Sequence, residues 1–143
     1  MKYNLWMSKI AIFVRSWGPA ILMMAAIFAF SSVPSEDMPS FGLIDLLVKK
    51  GGHALGYGLL ALTYLHGLKG ESSEIVPRQL FVAWLLATLY SATDEFHQSF
   101  VPGRHPAVTD VIIDSVGAVL AVLLAGRYFK QIELTPFEKR CRK

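Results

Sequence analysis

With 143 residues the chain has room for one compact domain, read here as 1–143. Only 17% of its residues are charged and 53% are hydrophobic, with a mean hydropathy of +0.42. A soluble domain carries about 25% charge, so much of this surface must face something other than water. The net charge of +3 does not point to nucleic acid, because the basic residues flank apolar stretches, where they orient a membrane protein.

A spanning helix needs about 20 mostly apolar residues. Four such stretches, 10–32, 51–68, 78–98 and 108–129, take up most of the sequence and predict an all-α, four-helix transmembrane bundle. The first has "GPAILMMAAIFAFSS" as its apolar heart and is preceded by Lys2, Lys9 and Arg15. A basic start and an apolar run also describe a signal peptide, with Ala29-Phe30-Ser31 as a weak cleavage site, but the length of the run and the three spans after it favour an uncleaved helix. The acidic turn "VPSEDMPS" follows, then 41–48, read either as a short interfacial helix or as the lead-in to the second span. In the second span Gly52 and Gly56 form a small-xxx-small pair, which predicts a close helix–helix approach. The loop "KGESSEIVP" leads to the third span, and Pro102-Gly103 breaks the chain before the fourth.

The distribution of lysine and arginine sets the expected topology. Lys2, Lys9, Arg15, Lys69, Arg78, Arg127, Lys130, Lys139, Arg140, Arg142 and Lys143 fall on one side, against Lys49, Lys50 and Arg104 on the other. Both termini are therefore expected in the cytoplasm (N-in/C-in), with the first and third loops facing outward.

That topology gathers the unusual polar residues at the outer end. His53 and Tyr57 lie one helical turn apart on one face, as do Asp110 and Asp114, with Gly117 continuing the latter face. Asp94, Glu95, His97 and Gln98 end the third span, and Arg104 and His105 lie in the loop "VPGRHPAV". A carboxylate at membrane depth costs about 2.5–3.5 kcal/mol even on the gentler scales. Asp114 is a full turn inside its helix, so it needs a partner, and Arg104 and His53 are the candidates.

Each residue also has an unremarkable role to weigh. Asp110 suits a helix N-terminus. Arg104 can tie its loop to Asp94 or Glu95, and Tyr57 can be an interfacial anchor. Lys49 and Lys50 can snorkel. Trp6, Trp17, Trp84, Tyr90 and His66 are assigned to packing or the interface. Glu95, Arg104 and Asp110 can form a network that only holds helix ends in register. Intramembrane ionisable residues in one cluster nevertheless point to a site. Two chemistries are conceivable, a divalent metal on Asp110, Asp114, His53 and Glu95, or a phosphate or carboxylate headgroup gripped by Arg104, Lys50 and His53 at the outer leaflet; the spacing is not an established metal signature, so no metal and no cofactor are assigned. The single Cys141 forms no internal disulfide. There is no HExxH, GxSxG or Walker sequence.

The segments "FSS", "KGGHALGY" and "SATDEFHQSFVPGRHPAVTDVIIDSVG" resemble the VanZ-like family of bacterial membrane proteins, named for an accessory teicoplanin-resistance protein. The pattern K-x-x-H-x-x-x-Y falls on Lys50, His53 and Tyr57. The run D-E-x-x-Q, P-G-R, D-x-x-x-N-x-x-G falls on Asp94, Glu95, Gln98, Pro102, Gly103, Arg104, Asp110, Asp114 and Gly117. Asp114 departs from the pattern, which has asparagine there. The resemblance implies a multi-pass protein of the bacterial cytoplasmic (inner) membrane, with a link to antibiotic susceptibility.

Three functions compete. In the first, a non-enzymatic envelope protein binds a lipid-linked headgroup or a lipophilic glycopeptide antibiotic through Lys50, His53, Tyr57, Asp94, Glu95, Gln98, Arg104, Asp110 and Asp114. In the second, a membrane-embedded hydrolase or transferase acts on a lipid or envelope precursor at the outer leaflet, with His53, Glu95, Asp110 and Asp114 as its catalytic set. The third, a small transporter, is disfavoured because the first and third spans carry almost no polar residues at mid-depth.

Overall fold

The computed structural model describes residues 2–34, 43–72 and 74–141, with side chains over 7–34, 50–72 and 74–131. The expectations placed on Glu36 and Asp37 of the acidic turn, and on the side chains of Trp6, Lys49 and the basic C-terminal tail, lie outside the described residues. The chain forms four helices: α1 (Lys2–Ser31), α2 (Leu43–Lys69), α3 (Pro77–Gln98) and α4 (Val108–Cys141). Among the described residues there is no strand.

Helix limits and apolar limits differ. The segment 41–48 is not a separate helix: from Leu43 it is already part of α2. α1 begins well before the apolar run, and α4 continues past residue 129 to Cys141. Hydropathy marks where oil ends, whereas a helix continues until its backbone bonding is interrupted. Gly70 interrupts α2 by adopting φ 56°, and its amide donates to His66 O at 3.1 Å, a left-handed cap that suits glycine. α3 opens with Pro77 after an extended Val76. Gln79 accepts the Val76 amide at 3.0 Å and donates to Leu68 O at 3.1 Å, tying the start of α3 to the end of α2.

Inside α1, Pro19 cannot donate to the carbonyl of Arg15, the acceptor one turn back. His66 Nε2 lies 3.4 Å from that oxygen, where its N–H tautomer replaces the missing bond. Beside it, Trp17 covers Gly67 so closely that an added Cβ would stand 2.9 Å from the indole.

The helices run up and down, with α2 and α4 in the most extensive contact and α1 resting mainly on α2. The close approach between α2 and α4 is made by Ala54 and Gly58 against Gly117 and Ala121. A methyl group at Gly117 would overlap the Ala54 carbonyl, and one at Gly58 would stand 3.2 Å from Gly117 O. The expected contact at Gly52 and Gly56 is not made: a Cβ at either meets nothing within 4 Å. The spacing of four was right, but α2 carries it on two faces and α4 takes the other one.

The centre is filled by Leu60, Ala61, Ala83, Ala87, Ala118 and Val122, all buried. Large apolar side chains such as Phe13, Leu22, Leu55, Phe81, Leu89, Ile112 and Leu124 point outward. Small residues inside and bulky apolar ones outside invert the water-soluble pattern and suit a bundle in oil. α1 over Met7–Ser31 and α4 over Val108–Gln131 are long and apolar enough to cross a membrane. α2 and α3 are diluted by glycine, histidine and carboxylates.

Candidate functional site

The up-and-down course brings the end of α1, the described start of α2, the end of α3 and the start of α4 to one end of the bundle, where the buried polar residues collect. Ser31, Ser91, Asp94, Glu95, Gln98 and Asp114 are all buried there.

Asp94 is held from two helices. Ser31 Oγ donates to Oδ1 at 2.6 Å, and Gln98 Nε2, one turn on, donates to Oδ2 at 2.9 Å. Glu95 faces another way: its Oε2 accepts the Ala107 amide at 2.9 Å and so fixes the loop that starts α4. Asp114, 1% exposed, accepts from Ser91 Oγ at 2.6 Å through Oδ2. Its Oδ1 lies 3.5 Å from His53 Nδ1, within ion-pair range but without hydrogen-bond alignment. Of the two partners expected for Asp114, His53 is therefore the one beside it.

Arg104 is turned toward α1. Its Nε donates to Val33 O at 3.1 Å and its Nη2 to Phe30 O at 3.0 Å. The carbonyls at a helix C-terminus carry partial negative charge, which favours a guanidinium there. Among the described residues the bonds of Glu95, Arg104 and Asp110 thus go to separate partners. Asp110 pairs with Lys50 at 3.5 Å on the partly exposed rim. His105 is exposed. His97 meets Ser32 Oγ at 3.0 Å and packs on Phe28.

A cavity of about 370 Å³ opens between α1, α2 and α3 at this end. Its polar wall is His53, Tyr57, Asp94, Gln98 and Arg104, and its apolar wall is Met23, Ala26, Ile27 and Phe30 of α1. Gly52 and Gly56 form part of the lining, so the glycines expected to bring helices together instead leave space. Of the nine residues singled out as ligand-binding, five line this cavity. Lys50, Glu95, Asp110 and Asp114 do not: they form the rim pair, the loop clamp and the group behind His53.

Tyr57 is only 2% exposed, yet its hydroxyl has no hydrogen-bond partner among the described residues. His53 Nδ1, Glu95 Oε1 and Asp114 Oδ1 are also buried without one, the first and last facing each other at 3.5 Å. Buried polar atoms are nearly always paired, so four such atoms at one end of the bundle single it out as the candidate site. Among the described residues no three His, Cys, Asp or Glu side chains are arranged to hold a metal ion.

Ser31 and Ser91 were not singled out by sequence reasoning. "FSS" ending an apolar run was the available signal for Ser31, whereas Ser91 looked like any small residue in a helix. Trp84 and Tyr90 are packing residues with bonds: Trp84 Nε1 donates to Ser115 Oγ at 3.0 Å, and Tyr90 Oη to Met24 O at 2.8 Å.

A family model described as VanZ/LLP1 matches residues 8–130. No curated protein and no solved structure matches the chain significantly. The matched stretch runs from α1 into α4 and contains every residue of the cavity and its surroundings, and on that ground the chain belongs to the VanZ/LLP1 family.

Proposed function

We propose that the protein is a single-domain, four-span protein of the bacterial cytoplasmic membrane, with both termini inside, that binds the polar end of an amphiphilic cell-envelope molecule in its outer-leaflet cavity. The observation that carries this reading is the cavity's division into one polar and one apolar wall, the polar one including a Tyr57 hydroxyl without a hydrogen-bond partner among the described residues. An amphiphile matches both walls at once. The cavity of about 370 Å³ is open on one side, so it takes a headgroup and its first carbons, as on a lipid-linked precursor, while the rest of a larger molecule stays outside. An effect on antibiotic susceptibility would then arise through the envelope component that is bound.

Native mass spectrometry of gently extracted protein is the test. Wild type should retain a lipid-like adduct, and Gly56→Leu, whose Cβ meets nothing within 4 Å and whose side chain takes up cavity space, should lose it. Equal adducts on both would refute the reading. Reporter fusions test the topology: the loops holding "VPSEDMPS" and "VPGRHPAV" should both report outside, and both termini inside.

A second reading, a hydrolase or transferase, is favoured by Asp114 standing behind His53 Nδ1, since a carboxylate in that place can orient an imidazole as a base. It expects bound lipid to be converted to product, and His53→Ala to stop conversion while the adduct persists.

A further inference from the structure

At the end of the bundle away from the cavity, α2 and α4 leave a groove between them. They meet closely at Gly58 and Gly117, where a Cβ on Gly58 would also stand 3.4 Å from that of Ala121. From Ala121 onward a groove of about 590 Å³ opens, with Leu62, Leu124 and Ala125 along its course and Lys69 and Phe129 at its far end. From Leu62 to Lys69 it follows α2 for about 10 Å at 1.5 Å per residue.

The polarity of the groove is graded. Toward the middle of the bundle it is apolar, and Leu124 is 64% exposed there. Its far end is cationic. The Lys69 ammonium stands 4.4 Å from the centroid of the Phe129 ring, bridging the two helices, and no described carboxylate is paired with it. An ammonium has three donors, so it can serve an anion and the ring together. Among the described side chains this end carries Arg15, Lys69, Arg78, Arg127 and Lys130 against Glu71 and Glu74, an excess of positive charge. An apolar trough that ends in an unneutralised cation is complementary to a molecule with a hydrocarbon chain and an anionic head.

We propose that this groove seats one anionic phospholipid, with an acyl chain along Leu62, Ala121 and Leu124 and the phosphate on Lys69. The proposal rests on the reading that α2 and α4 cross the membrane, and not on what the cavity binds. In the proposed topology the cationic end meets the inner leaflet, whose anionic lipids are drawn to basic pockets between spanning helices.

Native mass spectrometry of the full-length protein in dodecyl maltoside tests this, with equal amounts of phosphatidylglycerol and phosphatidylcholine of identical chains. Phosphatidylcholine has the same tails, but its own choline cancels the phosphate charge, so the preference between the two reads the lysine. One lysine near an anionic lipid is worth about fivefold in binding, and wild type should retain phosphatidylglycerol over phosphatidylcholine by about that factor or more. Lys69→Gln, at the last residue of α2, should bring the two lipids near parity, and Lys69→Arg, which keeps the charge, should preserve the preference. Arg78→Gln removes an exposed cation that does not line the groove and should also preserve it. Ala125→Leu takes up groove space and should lower retention of both lipids. Parity in wild type, or a preference that Lys69→Gln leaves intact, would overturn the proposal. An equal loss in Arg78→Gln would assign the preference to diffuse surface charge and overturn the site. Wild-type dimers that Ala125→Leu disperses, with lipid retention unmoved, would give the groove to a second copy of the chain and overturn it too. The cavity's adduct is read by its loss in Gly56→Leu and the groove's preference by its loss in Lys69→Gln, so either can fail alone.

Discussion

Replacing Gly117 by alanine should destabilise the bundle, while the same replacement at Gly56 should stabilise it. Both glycines lie inside helices, where alanine is favoured over glycine by about 0.8–1.0 kcal/mol. At Gly56 nothing stands within 4 Å of the added carbon, so the gain should be realised nearly in full. At Gly117 the added carbon would overlap the Ala54 carbonyl, and the obstacle is backbone, which has no rotamer to escape into. Overpacking of this kind costs about 1–3 kcal/mol, occasionally more, and here it must part α2 from α4 along their most extensive contact. After the propensity gain is subtracted, Gly117→Ala should lose up to roughly 2 kcal/mol or more, so the two variants should differ by about 1–3 kcal/mol. Gly58→Ala should fall between them, because its carbon would stand 3.2 Å from Gly117 O. Reversible denaturant unfolding of the purified protein in micelles gives the order directly. If Gly117→Ala proved as stable as wild type and Gly56→Ala less stable, the helices would meet on the Gly52/Gly56 face, and the cavity placed there could not exist.

Asp114→Asn keeps an acceptor for Ser91 Oγ and removes a buried charge, so its stability should stay within about 1.5 kcal/mol of wild type, whereas Asp114→Ala strands the serine and should cost about 1.5–3 kcal/mol or more; comparable losses in the two variants by chemical unfolding would count against the bond. Lys50→Ala removes a rim pair whose members are 40% and 28% exposed, and pairs of that kind are worth about 0–1 kcal/mol, so a thermal melt should hardly move. Gln79→Ala loses the bonds to Val76 and Leu68 that close the α2–α3 turn; limited proteolysis should then cut between residues 70 and 76 faster than in wild type, and an unchanged rate would show that the turn is held otherwise.

The helices were legible where their ends coincide with a breaker: 78–98 was expected and Pro77–Gln98 is found. Where a helix outruns its apolar stretch, as α4 does to Cys141, hydropathy carried no sign of its end. The gathering of His53, Tyr57, Asp94, Gln98 and Arg104 was also legible, because alternating helix directions force their ends together. Pairings were less so. Gln98 with Asp94 follows from a spacing of one turn, and His53 with Asp114 from need. That Arg104 reaches the carbonyls of Phe30 and Val33 could not be read, because backbone acceptors leave no mark on a sequence. Gly52 and Gly56 failed for a related reason: two missing side chains look the same whether a neighbouring helix or empty space takes their place.

The fastening of α1 has a consequence for how this protein tolerates change. His66 reaches Arg15 O, Tyr90 reaches Met24 O, and Arg104 reaches Phe30 O and Val33 O. Each of those oxygens is there whatever amino acid occupies the position. The side chains of α1 that share in its docking, Trp17 on Gly67, the buried Ala20, Phe28 on His97 and the hydroxyls of Ser31 and Ser32, lie on its inward face. A mutational scan would therefore find α1 permissive along its outward length, and its misplacement would come from those inward positions or from changes made in α2, α3 or the loop after α3.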